Sequence, residues 1–299
     1  MPAKGVDQKP SETALFAALR RALAHLKYPN ERFGPDHLAT VFLPPHFRFF
    51  LKFKKVQANT AEKLEAALPG LNAYMIARTV WLDELFLKAL QEGVPQIVLM
   101  GAGYDSRAYR FAGHNKGTTI FELDTAPTQE RKIACLRKAR IPVPQGMKFT
   151  PIDFNKQSLD SVLEKAGFDR SLKTLFIWEG VSYYLEPGSV NATLDSVREF
   201  GAVGSQIAFD YTISVPDENQ DNFFGVRLFN KTMQRHHASE ALLFSIDEGQ
   251  VRDFLTQRGF KLLTHMDNTE IEHTFLTRAN GSLIGLITGH FRFVAGELH

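Results

Sequence analysis

Cysteine is all but missing from this 299-residue chain: Cys135 stands alone. That excludes an intrachain disulfide and suits a reducing compartment. Cys135 sits in a basic helical pattern, where a structural thiol fits better than a nucleophile. Long apolar runs are missing too. No stretch reaches membrane-spanning length, and the first ten residues, MPAKGVDQKP, hold no signal-peptide core, so the expectation is a cytoplasmic protein with no membrane partner. A net charge of +2 supplies no broad field for nucleic acid and directs attention to small molecules. No metal-ligand spacing is visible, so metal independence is expected. Internal repeats and low-complexity segments are absent.

What is present is ordinary in bulk: 44% apolar and 23% charged residues describe a globular chain. Its length allows one large α/β domain with additions or two domains. Phenylalanine, at 25 residues, suits either an aromatic-lined cavity or a Phe-rich core.

The organising stretch is QIVLMGAGYDSRAYRF, Gln96 to Phe111. Ile97 to Met100, between Pro95 and Gly101, read as a strand buried on both faces. Gly101-Ala102-Gly103 allow a tight turn and close approach of a ligand. Asp105 and Ser106 are N-cap candidates for a following helix, whose first N–H groups would face the turn. Strand, glycine turn and helix form the nucleotide-cofactor element of doubly wound folds. A dinucleotide fingerprint would place a third glycine where Ser106 stands, which counts against NAD and favours an adenosyl cofactor.

Upstream, Ser11 to Lys27 reads as a helix with Ser11 at its N-cap, and 29–45 as loop. His46 to Lys55 alternates aromatics with Arg48, Lys52, Lys54 and Lys55. Membrane-surface helix, substrate lid and solvated helix all fit this pattern; the stretch is short for an anchor, which favours the solvated helix over the membrane and leaves the lid open. Ala61 to Gln91 is helical with a break at Pro69-Gly70, and Tyr74, Ala77, Trp81, Leu85 and Ala89 lie along its core face. Arg78 interrupts that face, either pairing with Asp83 or Glu84 or meeting a ligand carboxylate.

Downstream, strands are expected at 118–123, 147–152, 174–178 and 205–211, with helices at 127–140, 157–166 and 187–200. Each strand ends in a polar residue: Asp105 past the first, then Asp124, Asp153, Glu179 and Asp210. Ligands of open α/β sheets lie outside these ends. Glu122 and Asp124, about 20 positions beyond the turn, are placed to accept ribose hydroxyls. Ser214 to Phe244 interrupts the pattern at this edge, where a substrate cover would sit. Its His236 and His237 are read as surface residues. A helix at 247–258 and strands at 261–266 and 282–294 follow, with Asn280-Gly281 as a hairpin turn after a strand at 272–278.

ARTVWLDELFLKAL, QIVLMGAGYDSRAYRF, FELDTAP, PIDF and IWEGVSYYL stand in the order and spacing of the leucine carboxyl methyltransferase-like family, which the chain resembles best from Leu71 to Tyr211. That family includes bacterial S-adenosylmethionine-dependent methyltransferases related to polyketide carboxyl methyltransferases. The resemblance implies a doubly wound, seven-stranded, mostly parallel sheet of Rossmann-like class I type, with an N-terminal helical extension (1–92), a core (93–299) and an insertion at 214–244. It implies S-adenosylmethionine as cofactor, S-adenosylhomocysteine as product, and methyl transfer to a small-molecule oxygen, a carboxylate before a hydroxyl or phenol. Arg78 would clamp the methionine carboxylate, Gly101, Ala102 and Gly103 would line the cofactor with backbone, and Asp124, before Glu122, would hold the ribose. Asp153 and Phe154 would bracket the adenine, Glu179 and Gly180 would meet the amino end, and Tyr183 and Tyr184 would line the substrate mouth. A hydroxyl acceptor would need a base, for which His37, His46 or an insertion histidine are candidates. The sequence departs from the family at 42–55 and 214–244, leaving a protein C-terminus unsupported as substrate. An NAD oxidoreductase and a non-catalytic adenosyl-binding protein are the rival readings.

Overall fold

The structure is a computed structural model that describes residues 9–29, 31–153, 157–236 and 242–299. Four helices precede the first strand: α1 (Glu12–Lys27), α2 (Pro45–Phe50), α3 (Lys54–Ala67) and α4 (Leu71–Gln91). Strands and helices then alternate as β1 (Gln96–Met100), α5 (Arg107–Arg110), β2 (Thr119–Asp124), α6 (Ala126–Lys138), β3 (Met147–Pro151), α7 (Leu159–Lys165), β4 (Thr174–Trp178), α8 (Pro187–Phe200) and β5 (Gln206–Thr212). The chain finishes with α9 (Val226–His236), α10 (Val251–Thr256), β6 (Phe260–Met266), α11 (Asn268–Phe275) and β7 (Phe291–Leu298).

The seven strands form one sheet in the order β3-β2-β1-β4-β5-β7-β6. β1 to β5 are mutually parallel, and β7 runs antiparallel between β5 and β6. This is the doubly wound, seven-stranded sheet the sequence implies. Each βαβ step needs a helix to cross a face, so both faces are covered and the central strands are apolar throughout; all five residues of β1 and of β4 are buried. On one face α4 supplies the apolar layer: Trp81 stacks on Phe293 of β7 at 4.5 Å, and Tyr74 on Phe291 at 3.9 Å. Most of the phenylalanines belong to core of this kind.

The helix expected after the glycine turn is present as a single turn, Arg107–Arg110, with Ser106 at its N-cap position. Two other local expectations are corrected. Residues 272–278 do not form a hairpin strand, because Asp267 and Glu270 cap each other's backbone in a capping box that starts α11; only a bridge between Thr277 and Leu283 remains of the hairpin, and β7 begins at Phe291 rather than at 282. The insertion is not irregular throughout, since α9 lies within it.

Candidate active site

Strand order reverses between β1 and β4, and the loops leaving those two strands diverge there, opening the crevice in which such folds bind ligands. Gly101 and Gly103 take φ of +72° and +50° at this point, a region that side-chain-bearing residues avoid. Space forbids a side chain as well. A Cβ on Gly101 would stand 2.7 Å from Val181 Cγ2, and one on Gly103 would stand 3.0 Å from the Ala14 Cβ. Val181, after β4, and Ala14, on α1, therefore roof the turn. The N-terminal extension is tied to it further: the Ser11 N–H donates to Thr128 Oγ1 at 3.0 Å, and Arg21 donates to the Tyr104 carbonyl at 2.8 Å.

Asp124 closes the turn from the β2 side. Its carboxylate accepts the Gly103 N–H at 2.6 Å and the Thr125 N–H at 2.7 Å, while the Ala102 N–H donates to the Leu123 carbonyl at 2.8 Å. Burial raises the Asp124 pKa, and those two backbone donors oppose the rise. Oδ1 also accepts the Thr125 hydroxyl at 3.3 Å, while Oδ2 keeps a second lone pair, so Asp124 can still accept a hydroxyl. Glu122 does not share this position. Strand alternation puts it on the same face, one layer deeper, where it is buried and pairs with Lys132 at 2.6 Å. Burial lifts its pKa to about 7 despite Lys132. Asp153, just past β3, is half-buried; Phe154 lies outside the described residues.

On the β4 side, Glu179 and Gly180 meet Arg78. The Arg78 Nε donates to Glu179 at 3.0 Å, and one Nη donates to Asp210 at 2.8 Å and to the Tyr183 hydroxyl at 3.1 Å. Its partners are thus strand-end acids across the sheet, not Asp83 or Glu84. A Cβ on Gly180 would come 2.9 Å from the same guanidinium. Asp210 is fully buried and also receives the Tyr74 hydroxyl and the Gly180 N–H, so it anchors the site from below. Tyr183 is buried against this cluster, and Tyr184 packs edge-on to it at 4.7 Å.

The stretch DSRAYR explains why the charges stay fixed. Arg107 joins Asp83 (2.9 Å) to Glu179 (2.6 Å), Arg110 reaches Asp83, and Asp36 receives Arg21 at 2.9 Å and the Ser106 hydroxyl at 2.6 Å. A buried ionic chain therefore runs from α1 to β5 beneath the turn. Burial pushes the Glu179 carboxyl up, but Arg107 and Arg78 outweigh it and hold the group at about 2, so Glu179 remains ionised. Asp36 and Arg107 were given no individual role from sequence, and Asp83 entered only as a candidate partner of Arg78, because no local pattern shows which buried charges meet.

A second feature lies at the end of β5. A cavity of about 330 Å³ is lined by Thr212, Asp217, Asn230, Leu243, Phe244 and His290, among others. The Tyr183 carbonyl accepts the Leu243 N–H at 2.8 Å, so Tyr183 touches this cavity wall with its backbone and the ionic cluster with its hydroxyl. His290 is buried, neither of its ring nitrogens has a partner among the described residues, and burial with Arg292 nearby holds its pKa down at about 3. His37 and His46, the histidines named from sequence, are exposed. His290 escaped notice because nothing in its local sequence marks it as facing a cavity. His237 lies outside the described residues.

The profile of the leucine carboxyl methyltransferase family matches residues 14–198, more than half of the chain. The chain belongs to the leucine carboxyl methyltransferase family. Within that family its relatives include a Mycolicibacterium smegmatis protein named, by inference, an S-adenosyl-L-methionine-dependent methyltransferase, 31% identical over 67% of this chain and 64% of that one. A Mycobacterium bovis protein of the same designation is 27% identical over 83% of this chain and 80% of its own. The chain spans less than two thirds of the length of the first of these relatives. Among solved structures, one from Thermobifida fusca described as an inferred methyltransferase aligns over 99% of this chain and 98% of its own, with 15% identity and a TM-score of 0.58; that likeness concerns the fold alone. The family match covers α1 from Ala14 onward as well as the glycine turn, in keeping with the Ala14 contact.

Proposed function

We propose that this chain is an S-adenosylmethionine-dependent methyltransferase that transfers a methyl group to an oxygen of a small molecule. One observation carries the reading: the glycine turn at the switch point is flanked by Asp124 on the β2 side and by an ionised Glu179 on the β4 side. The donor set fits an adenosyl amino acid lying along the sheet edge. Asp124 would hold ribose hydroxyls, Asp153 would meet the adenine, Glu179 and Gly180 would meet the ammonium, and Arg78 would approach the carboxylate. Bound there, S-adenosylmethionine supplies a methyl group on a positively charged sulfur. The chain aligns the two partners and excludes water. Val181 and Ala14 cover the turn, and Tyr183 stands between it and the cavity at the end of β5, which we assign to the acceptor.

Family membership supports a carboxylate acceptor, which arrives ionised and asks no residue to remove a proton. The cavity supports a second reading, a neutral hydroxyl: no lysine or arginine is among its described lining residues, its acid is Asp217, and His290 is a neutral imidazole able to accept a hydrogen bond from a hydroxyl. The two are separated by incubating the protein with cofactor labelled in its methyl group and matched sets of small carboxylic acids, alcohols and phenols. Alkali then releases volatile methanol from a methyl ester and leaves an ether intact. Label in neither product, with no binding of S-adenosylhomocysteine, overturns the proposal.

A further inference from the structure

Of the 25 phenylalanines, six are exposed among the described residues, and four of those six lie within seven positions: Phe47, Phe49, Phe50 and Phe53, at 40%, 55%, 53% and 53%. They stand on α2 and the turn that follows it. Phe49 is in edge-on ring contact with Phe50 at 5.7 Å and with Phe53 at 5.9 Å, so these three rings form one exposed cluster, while Phe47 lies against His46 at 4.9 Å. Beneath it, buried Leu51 fixes the turn, and its carbonyl accepts the Gln57 side-chain amide at 2.7 Å. The turn that carries the cluster is thus anchored, and leaving the rings in water costs free energy.

Around the rings stand Arg48, Lys52, Lys54 and Lys55. No aspartate or glutamate occurs between Asp36 and Glu62, and none of the four cations makes an ion pair among the described residues. Aromatic rings interleaved with unpaired cations match a surface where apolar chains lie beneath a layer of negative charge. A second copy of this chain would bring four like charges against four, which opposes pairing through this face.

We propose that α2 and the turn after it, residues 46–55, form a docking face for an anionic lipid bilayer, with Phe47, Phe49, Phe50 and Phe53 entering the interface and the four cations meeting lipid phosphates. The length of the stretch argued against this from sequence alone; four exposed rings on an anchored turn supply what length does not. The face holds the protein at a membrane reversibly, since a short interfacial patch binds far more weakly than a spanning helix, and no helix among the described residues is long and apolar enough to cross a membrane.

The test is co-sedimentation of the full chain with phosphatidylcholine vesicles and with vesicles in which about a third of the lipid is phosphatidylglycerol. Binding is expected to the anionic vesicles, falling on the order of tenfold or more in Phe49→Ser/Phe53→Ser and severalfold when salt is raised or in Lys54→Gln/Lys55→Gln. Circular dichroism and melting temperature should stay as in the wild type, because the replaced side chains are exposed. Absence of binding to anionic vesicles overturns the proposal, as does equal binding by the double phenylalanine variant. A wild-type dimer in solution that this variant dissolves also overturns it, assigning the face to a second copy.

Discussion

Asp124 and Glu122 stand two residues apart on one strand and do different work. Asp124 faces the turn and holds two backbone N–H groups, whereas Glu122 is sealed beside Lys132. Asp124→Asn is expected to weaken S-adenosylhomocysteine binding by about 1–3 kcal/mol, a charge-assisted contact replaced by a neutral one, as read by calorimetry. Glu122 predicts a pH effect instead. Its pKa rises from 4.5 to about 7 on folding, so the native state binds the proton more tightly than the unfolded state does. Its stabilising contribution is complete below 4.5 and is lost as pH climbs through 7. Urea titrations across that range should show Glu122→Gln without this decline. Glu179 runs the other way: held at about 2, it contributes above 4.5 and loses that contribution as pH falls toward 2.

At the scale of elements, the glycine turn is the least tolerant place. Gly101→Ala forces a Cβ into a left-handed backbone and toward Val181 Cγ2 at 2.7 Å; the expected cost is about 1–3 kcal/mol in denaturant unfolding, only part of it recovered by adding Val181→Ala. The sheet strands were legible in sequence because short apolar runs bounded by Gly and Pro have few other interpretations. The break at Gly70 and the cap at Ser11 were legible for the same local reason, since a side chain or a positive φ acts within a few residues. The strand proposed for 272–278 failed because the Asp267–Glu270 capping box, itself a readable signal, decides the matter locally in favour of helix. Asp267→Ala should cost α11 about 1 kcal/mol, measured by thermal melting. What sequence could not supply was pairing at a distance. Arg78 finds Asp210 across 132 positions, and no spacing rule reaches that far. His290 is likewise a product of tertiary packing.

At the scale of the whole molecule, the N-terminal helices and the sheet are joined through charge. The ionic chain from Arg21 on α1 through Asp36, Arg110, Asp83, Arg107 and Glu179 to Arg78 and Asp210 places the acids at the strand ends by contacts that span the chain. Removing a central member leaves buried charges without partners, so Arg107→Gln is expected to cost about 3–5 kcal/mol of stability, seen in denaturant unfolding. The account's central claim is that the turn at Gly101 to Gly103, with Asp124 and Glu179, cradles an adenosyl sulfur cofactor. Calorimetric titration of the wild-type protein with S-adenosylhomocysteine and, separately, with NADH tests it most directly: saturable one-to-one binding of the former, weakened in Asp124→Asn, and none of the latter is the result predicted, whereas binding of NADH, or of neither compound, would contradict it.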